Sequence, residues 1–148
     1  MELVLNLTGF CSMEHARLLD ADRVLVVEDD CLLREMIVDM LMDEGFATSE
    51  AYCADQALQL LRNRNDIAAM VTDVDMPGEM NGIALAAQVS QNWPWIGIVV
   101  TSGAHRGGAL GVHRPVFFLP KPFRADRLVA AVHSVMATRF APVHRRAS

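Results

Sequence analysis

AAMVTDVDMPG, residues 68–78, is an apolar run that ends in Thr72, Asp73, Val74 and Asp75 before a proline and a glycine close it. An unbroken apolar run of this length reads as a strand covered on both faces. Two carboxylates at its tip are costly to bury unless a cation or a reaction uses them. The same pattern, an apolar run followed by a polar tip, recurs on both sides of this stretch. RVLVV (23–27) leads into Glu28, Asp29 and Asp30; WIGIVVTS (95–102) ends in Thr101 and Ser102; VFFLP (116–120) leads into Lys121, which lies between Pro120 and Pro122.

Helical spacing separates these runs. Leu33, Met36, Ile37, Met40 and Leu41 share one helical face, Asp30 stands where an N-cap belongs, and Gly45 stands where the helix should stop. FATSEA (46–51) reads as a further strand, and Ala54, Ala57, Leu58 and Leu61 as the apolar face of a second helix. GIALAAQVSQ (82–91) reads as a third helix, and Leu128, Ala131, Val132, Val135 and Met136 give the last helix its buried stripe. GAHRGGALGVHRP (103–115) is glycine-rich, and each glycine costs about 1 kcal/mol relative to alanine within a helix. A short or irregular fourth helix is expected there. Alternating strands and helices predict a parallel sheet with helices on both faces, where functional residues gather beyond the carboxyl ends of the strands.

The chain has 148 residues, enough for one domain that buries roughly 68–70% of the surface its unfolded chain exposes. A composition of 52% hydrophobic and 21% charged residues is that of a globular protein. A net charge of −5 argues against a nucleic-acid surface as the main business of the molecule. No apolar run reaches the roughly 18 residues of a membrane helix, and Glu2 stands where a signal peptide would be basic, so a cytoplasmic location is expected. Cys11, Cys31 and Cys53 are too widely spaced for a CxxC pair and read as reduced thiols.

If the strands are parallel neighbours, Glu28, Asp29, Asp73, Asp75, Thr101 and Lys121 converge on one rim. Two carboxylates about 4 Å apart repel by roughly 4 kcal/mol at an effective dielectric near 20, and a divalent cation relieves that repulsion. Oxygen ligands without His or Cys suit Mg²⁺, which takes one or two carboxylates and leaves positions for phosphoryl oxygens. A hydroxyl and an ammonium on the same rim serve the remaining oxygens of a phosphoryl group. Asp73 can then act as a nucleophile and form an aspartyl phosphate.

VLVVEDD (24–30), VTDVDMPG (71–78), VVTSGA (99–104) and FFLPKPF (117–123), in this order and spacing, resemble the receiver domain of bacterial two-component response regulators. The resemblance spans about residues 23–138 and implies a flavodoxin-like, doubly wound five-stranded parallel sheet of order 2-1-3-4-5. It also implies that Asp73 is the phosphoacceptor, supplied by a histidine kinase or a histidine phosphotransfer protein. Asp29 would ligate Mg²⁺ directly, Glu28 through a water, and Asp75 through its backbone carbonyl. Thr101 and Lys121 would contact the phosphoryl oxygens, Phe118 would occupy the aromatic switch position, and the Lys121–Pro122 bond would be cis. This chain departs from the family pattern in three places. The loop MPGEMNG is one residue longer than the common form, Phe118 lacks a hydroxyl, and the glycine-rich segment alters the usual signalling face.

Plainer roles are expected for several neighbours. Asp30 reads as a helix cap rather than a metal ligand, and Thr101 is favoured over Ser102 because alternation aims only one of them inward. Trp93 and Trp95 read as loop packing, His105 and His113 as solvated loop residues, and the methionines as core filler. Residues 1–22 form an extension outside the resemblance and 139–148 a short tail, so a stand-alone receiver that signals by protein contact or onward relay is expected. A receiver fold used as a phosphorylation-independent interaction module is the alternative. A haloacid-dehalogenase-type phosphatase, suggested by DVDMP, is a remoter one, because the acidic pair comes first here and none follows Lys121.

Overall fold

Unbroken β-branched and apolar runs form the strands, and the computed structural model, which describes residues 22–103 and 116–138, places them side by side. In chain order the elements are β1 (Arg23–Val27), α1 (Cys31–Asp43), β2 (Ala47–Ala51), α2 (Ala54–Asn63), β3 (Ile67–Asp73), α3 (Gly82–Asn92), β4 (Gly97–Ser102), β5 (Val116–Pro120) and α4 (Ala125–Thr138). The sheet order is β2-β1-β3-β4-β5, as the resemblance implied, with every neighbouring pair parallel, as the alternation of elements led us to expect. The helix expected within 103–115 lies outside the described residues apart from Gly103.

The period-2 alternation of the strands divides the core into two layers. On one face Leu25, Val27, Met70, Ile98 and Val100 pack with Ala57, Leu58 and Leu61 of α2 and Leu85 and Val89 of α3. On the other, Val24, Val26, Val71 and Val99 pack with Ile37 and Leu41 of α1 and Leu128 and Val132 of α4. Both layers are needed because β1, β3 and β4 are buried from either side. Each fully buried Val, Leu or Ile contributes about 1.5–3 kcal/mol relative to exposure.

Local chemistry sets where α1 begins and ends. Asp30 caps it, its Oδ1 accepting from the backbone N–H groups of Leu32 and Leu33 at 3.0 and 3.2 Å, an arrangement worth about 1 kcal/mol. At the other end Gly45 takes φ +99°, the N–H of Gly45 bonds Met42 O and that of Phe46 bonds Leu41 O, which is a Schellman stop. The buried face of this helix differs from the expected one. Ile37, Val38 and Leu41 are buried, whereas Met36 and Met42 are 53% and 57% exposed, so these two methionines are not core filler. Helical spacing found the helix, but the line of contact with the sheet runs through Ile37, one position beyond Met36.

Tryptophan placement is also split. Trp93 packs against the core layer beneath α3, while Trp95 is exposed. His105 and His113 lie outside the described residues.

At the amino ends of the strands, Arg23 at the start of β1 bonds Asp66 just before β3 (Nε to Oδ2, 3.0 Å), and Arg64 reaches the same carboxylate at 2.8 Å. These residues fasten the lower edge of the sheet.

Candidate functional site

Each candidate residue emerges where its strand ends. β3 carries Asp73 as its last residue, β1 delivers Glu28 immediately after Val27, and β4 places Thr101 opposite Asp73 in register. The backbone holds this rim tightly. Val74 N–H bonds Thr101 O at 3.0 Å, and Gly82 N–H bonds Val74 O at 2.9 Å. Gly82 sits so close that a Cβ there would lie 1.8 Å from Asp73 O; no side chain fits between α3 and the end of β3.

Glu28, Asp29 and Asp73 offer carboxylate oxygens that all lie within 4.8 Å of one another. Glu28 and Asp73 are buried, while Asp29 is exposed. Lys121 spans the two buried carboxylates, with Nζ 3.3 Å from Glu28 Oε1 and 3.2 Å from Asp73 Oδ1. The Lys121–Pro122 peptide is cis, as the resemblance led us to expect. Lys121 is tied to the sheet by its backbone N–H, which bonds Ser102 O at 2.9 Å.

The electrostatics of the rim are relieved only in part. Burial pushes the Asp73 carboxyl above its ordinary range, against the pull of Lys121 and of the Asp75 backbone N–H. Burial likewise raises Glu28, opposed by the Asp30 N–H and reinforced by the charge of Asp73. Burial alone would lower Lys121, but the two carboxylates overcome it and hold the ammonium above its usual value. Asp73 Oδ1 is buried with no hydrogen-bond partner; its contact with Lys121 is an ion pair rather than an aligned bond. One ammonium thus serves two buried carboxylates and leaves an oxygen unsatisfied, a state that costs free energy. An all-oxygen donor set with an unsatisfied carboxylate oxygen fits a hard divalent cation such as Mg²⁺.

The remaining predicted residues surround this cluster. Thr101 is fully buried and its hydroxyl donates to Thr72 O at 3.5 Å, a long bond at the side of Asp73. Ser102 is buried as well, so burial does not separate the two hydroxyls as simple alternation suggested. Asp75 is exposed just past the strand, with its N–H directed to the Asp73 carboxylate. Phe118 belongs to β5. It is half-buried against the α2–α3 layer, and its register partner on β4 is Val100, not Thr101.

Two participants went unnoticed in the sequence. Arg34 donates from Nη1 to Glu28 O at 2.8 Å and from Nε to Glu50 Oε1 at 3.1 Å. The available signal was a cation near the positive end of α1, where the helix dipole disfavours it unless another partner is present.

A sheet of order 2-1-3-4-5, with three carboxylates clustered at its topological switch point between β1 and β3, defines a flavodoxin-like domain. The chain belongs to the response regulator receiver domain family, whose profile matches residues 24–133; this is a signalling family and not one of conventional enzymes. The chemotaxis protein CheY of Bacillus subtilis (strain 168) is 31% identical over 127 residues, covering 78% of this chain and 98% of CheY. Sensor protein TorS of Escherichia coli (strain K12) is 34% identical over 87 residues, covering 59% of this chain and 9% of TorS. The crystal structure of the receiver domain of NtrX from Brucella abortus superposes with a TM-score of 0.67 at 29% identity, covering 78% of this chain and 98% of that one. Several curated relatives are much longer than the match, this chain spanning between 9% and 49% of their length. The family assignment removes the ground for the phosphatase reading.

Proposed function

We propose that Asp73 accepts a phosphoryl group and that Glu28, Asp29, Asp73 and the backbone carbonyl of Asp75 hold Mg²⁺ beside it. The observation that carries this reading is the buried Asp73 Oδ1, unbonded yet 3.2 Å from Lys121 Nζ and within the three-carboxylate cluster. The donor is a histidine kinase or a histidine phosphotransfer protein; the similarity to a sensor protein supports such a partner. A carboxylate oxygen of Asp73 attacks phosphorus in line, the bond to the donor's leaving atom breaks, and that atom departs with its electron pair. Mg²⁺, when bound, neutralises the charge of the carboxylates and of the incoming phosphoryl oxygens. Lys121 gives its ammonium to one phosphoryl oxygen and Thr101 its hydroxyl to another, each exchanging a contact within the rim for one to the new group.

The output follows from the same residues. Thr101 is drawn from Thr72 O toward the phosphoryl group, and Phe118 and the adjoining surface shift with it, which biases a two-state surface recognised by a protein partner or relays the group onward. In this reading residues 23–138 form the receiver unit, 1–22 an extension and 139–148 a tail, and the protein works in the cytoplasm. Among the described residues no helix is long and apolar enough to cross a membrane.

The test is incubation of the full chain with acetyl phosphate, with and without Mg²⁺, read by intact mass. One phosphoryl adduct that requires Mg²⁺ and is absent in Asp73→Asn is the expected result. An unlabelled wild type would point instead to a phosphorylation-independent interaction module.

A further inference from the structure

The backbone between the two acidic residues that follow β1 is held from both sides. Glu28 N–H bonds Ala51 O at 3.0 Å, which continues the β1–β2 ladder one residue past the strand. The Glu28 carbonyl accepts from Arg34 Nη1 at 2.8 Å. Because a peptide unit is planar, fixing that carbonyl also fixes the Asp29 N–H in the same plane. The side chain of Glu28 is held too, its Oε2 accepting from Asp30 N–H at 3.2 Å and its Oε1 meeting Lys121 at 3.3 Å. Asp29 makes no ion pair among the described residues, so no side-chain partner anchors its carboxylate, and the held peptide sets where its Cα, the root of the side chain, stands.

Arg34 is built for the task. Its side chain is 19% exposed, and its planar fork engages two partners at once, Glu28 O and the carboxylate of Glu50 on β2 at 3.1 Å. A guanidinium keeps such a two-pronged arrangement with little loss of rotamer freedom, whereas an ammonium is a point donor.

We infer that Arg34 is a positioning residue for the metal site, clamping the Glu28–Asp29 peptide so that the Asp29 carboxylate faces Glu28 and Asp73. The inference rests on the reading that this rim holds Mg²⁺. Its sign separates it from plain electrostatics. The positive charge of Arg34 repels a cation, so a purely Coulombic role predicts tighter Mg²⁺ binding when the residue is removed. A positioning role predicts weaker binding.

The experiment is calorimetric titration of Mg²⁺ into the full-length wild type, Arg34→Ala, Arg34→Lys and Asp29→Asn, with the metal-free melting temperature of each taken in EDTA. Wild type should bind, Asp29→Asn should not, and folded Arg34→Ala should bind about 10-fold more weakly or worse, the usual cost of losing an outer partner of a metal ligand. Arg34→Lys keeps the charge and loses the fork, so it should also weaken binding by several-fold. Should Arg34→Ala fail to fold, the lysine variant decides, and a wild-type affinity there overturns the inference. Equal or tighter binding by folded Arg34→Ala overturns it as well, including where the melting temperature drops, since that would be a structural role alone. A wild type that takes no Mg²⁺ overturns both this inference and the metal-site reading beneath it.

Discussion

β1 and β3 have carboxylates at both ends, Asp66 alone at the amino end and a cluster at the carboxyl end, and the two ends treat them in opposite ways. At the amino end, hydrogen bonds from Arg64 and then Arg23 hold Asp66 well below the ordinary carboxylate range, at about 2. Two guanidiniums serve one carboxylate there. At the carboxyl end, burial raises both Glu28 and Asp73, and one ammonium serves both. The lower carboxylate is satisfied and fastens the sheet, whereas the upper cluster is short of positive charge and free energy is stored in it. That deficit is what a divalent cation and a phosphoryl group would relieve. The difference lies in the number of cations supplied and in access to water, since the chain segments are the same.

The comparison is broken most severely by Lys121→Ala, which leaves the upper carboxylates without a cation. Uptake of phosphoryl groups from acetyl phosphate should fall about 10²–10³-fold, the usual effect of deleting one charged stabiliser of a transition state, as read by single-turnover kinetics. Mg²⁺ should sharpen the contrast in stability. At about 100 times its dissociation constant it should stabilise the wild type by about 2.7 kcal/mol in chemical denaturation, and Asp29→Asn should lose that gain.

Next in size comes the lower end. Arg23→Ala should cost about 1 kcal/mol at neutral pH, allowing for solvent screening of a partly exposed pair, and leave Mg²⁺ affinity unchanged. The pH dependence has a definite sign. A depressed carboxylate contributes stability that is present above the unfolded value near 4 and lost as pH falls toward 2, so in urea denaturation the gap between this variant and wild type should narrow toward pH 2, leaving the loss of the Arg23 bonds to Thr48 O and Ser49 Oγ. The upper end runs the other way. A raised carboxylate keeps its proton in the folded state after the unfolded chain has released it, so metal-free stability declines as pH rises from about 4 through the folded values of Asp73 and Glu28. Asp73→Asn should flatten that decline. Arg64→Ala should cost no more than about 1 kcal/mol in the same assay, because its two hydrogen bonds to Asp66 are offset by the 37% exposure of its side chain.

Much of this was legible before any coordinates. The continuous apolar runs of β1, β3 and β4 named the parallel sheet, and the buried stripes of α2 and α4 are those their spacing indicated, Ala54 to Leu61 and Leu128 to Met136. Glu28, Asp29, Asp73 and Lys121 do converge, because each follows directly from a strand end whose direction the parallel sheet dictates. The face of α1 was harder to read. Met36 and Ile37 are both apolar, and the crossing of the helix over the sheet decides which is covered. Arg34 was invisible for a related reason, since its partners are a main-chain carbonyl and a residue of β2, and neither leaves a mark in local spacing. The relation of Thr101 to Phe118 depends on the β4–β5 register, which pairs Phe118 with Val100.

The central claim is that the carboxylate at the end of β3, whose Oδ1 has no hydrogen bond, is the one that bonds to phosphorus. Treating the acetyl phosphate-labelled protein with borohydride and mapping the peptides reads this directly, because reduction of an aspartyl phosphate leaves homoserine at the modified position. Homoserine at position 73, formed only when Mg²⁺ was present during labelling, is the predicted result; homoserine at 29 or 75, or at no position, would contradict it.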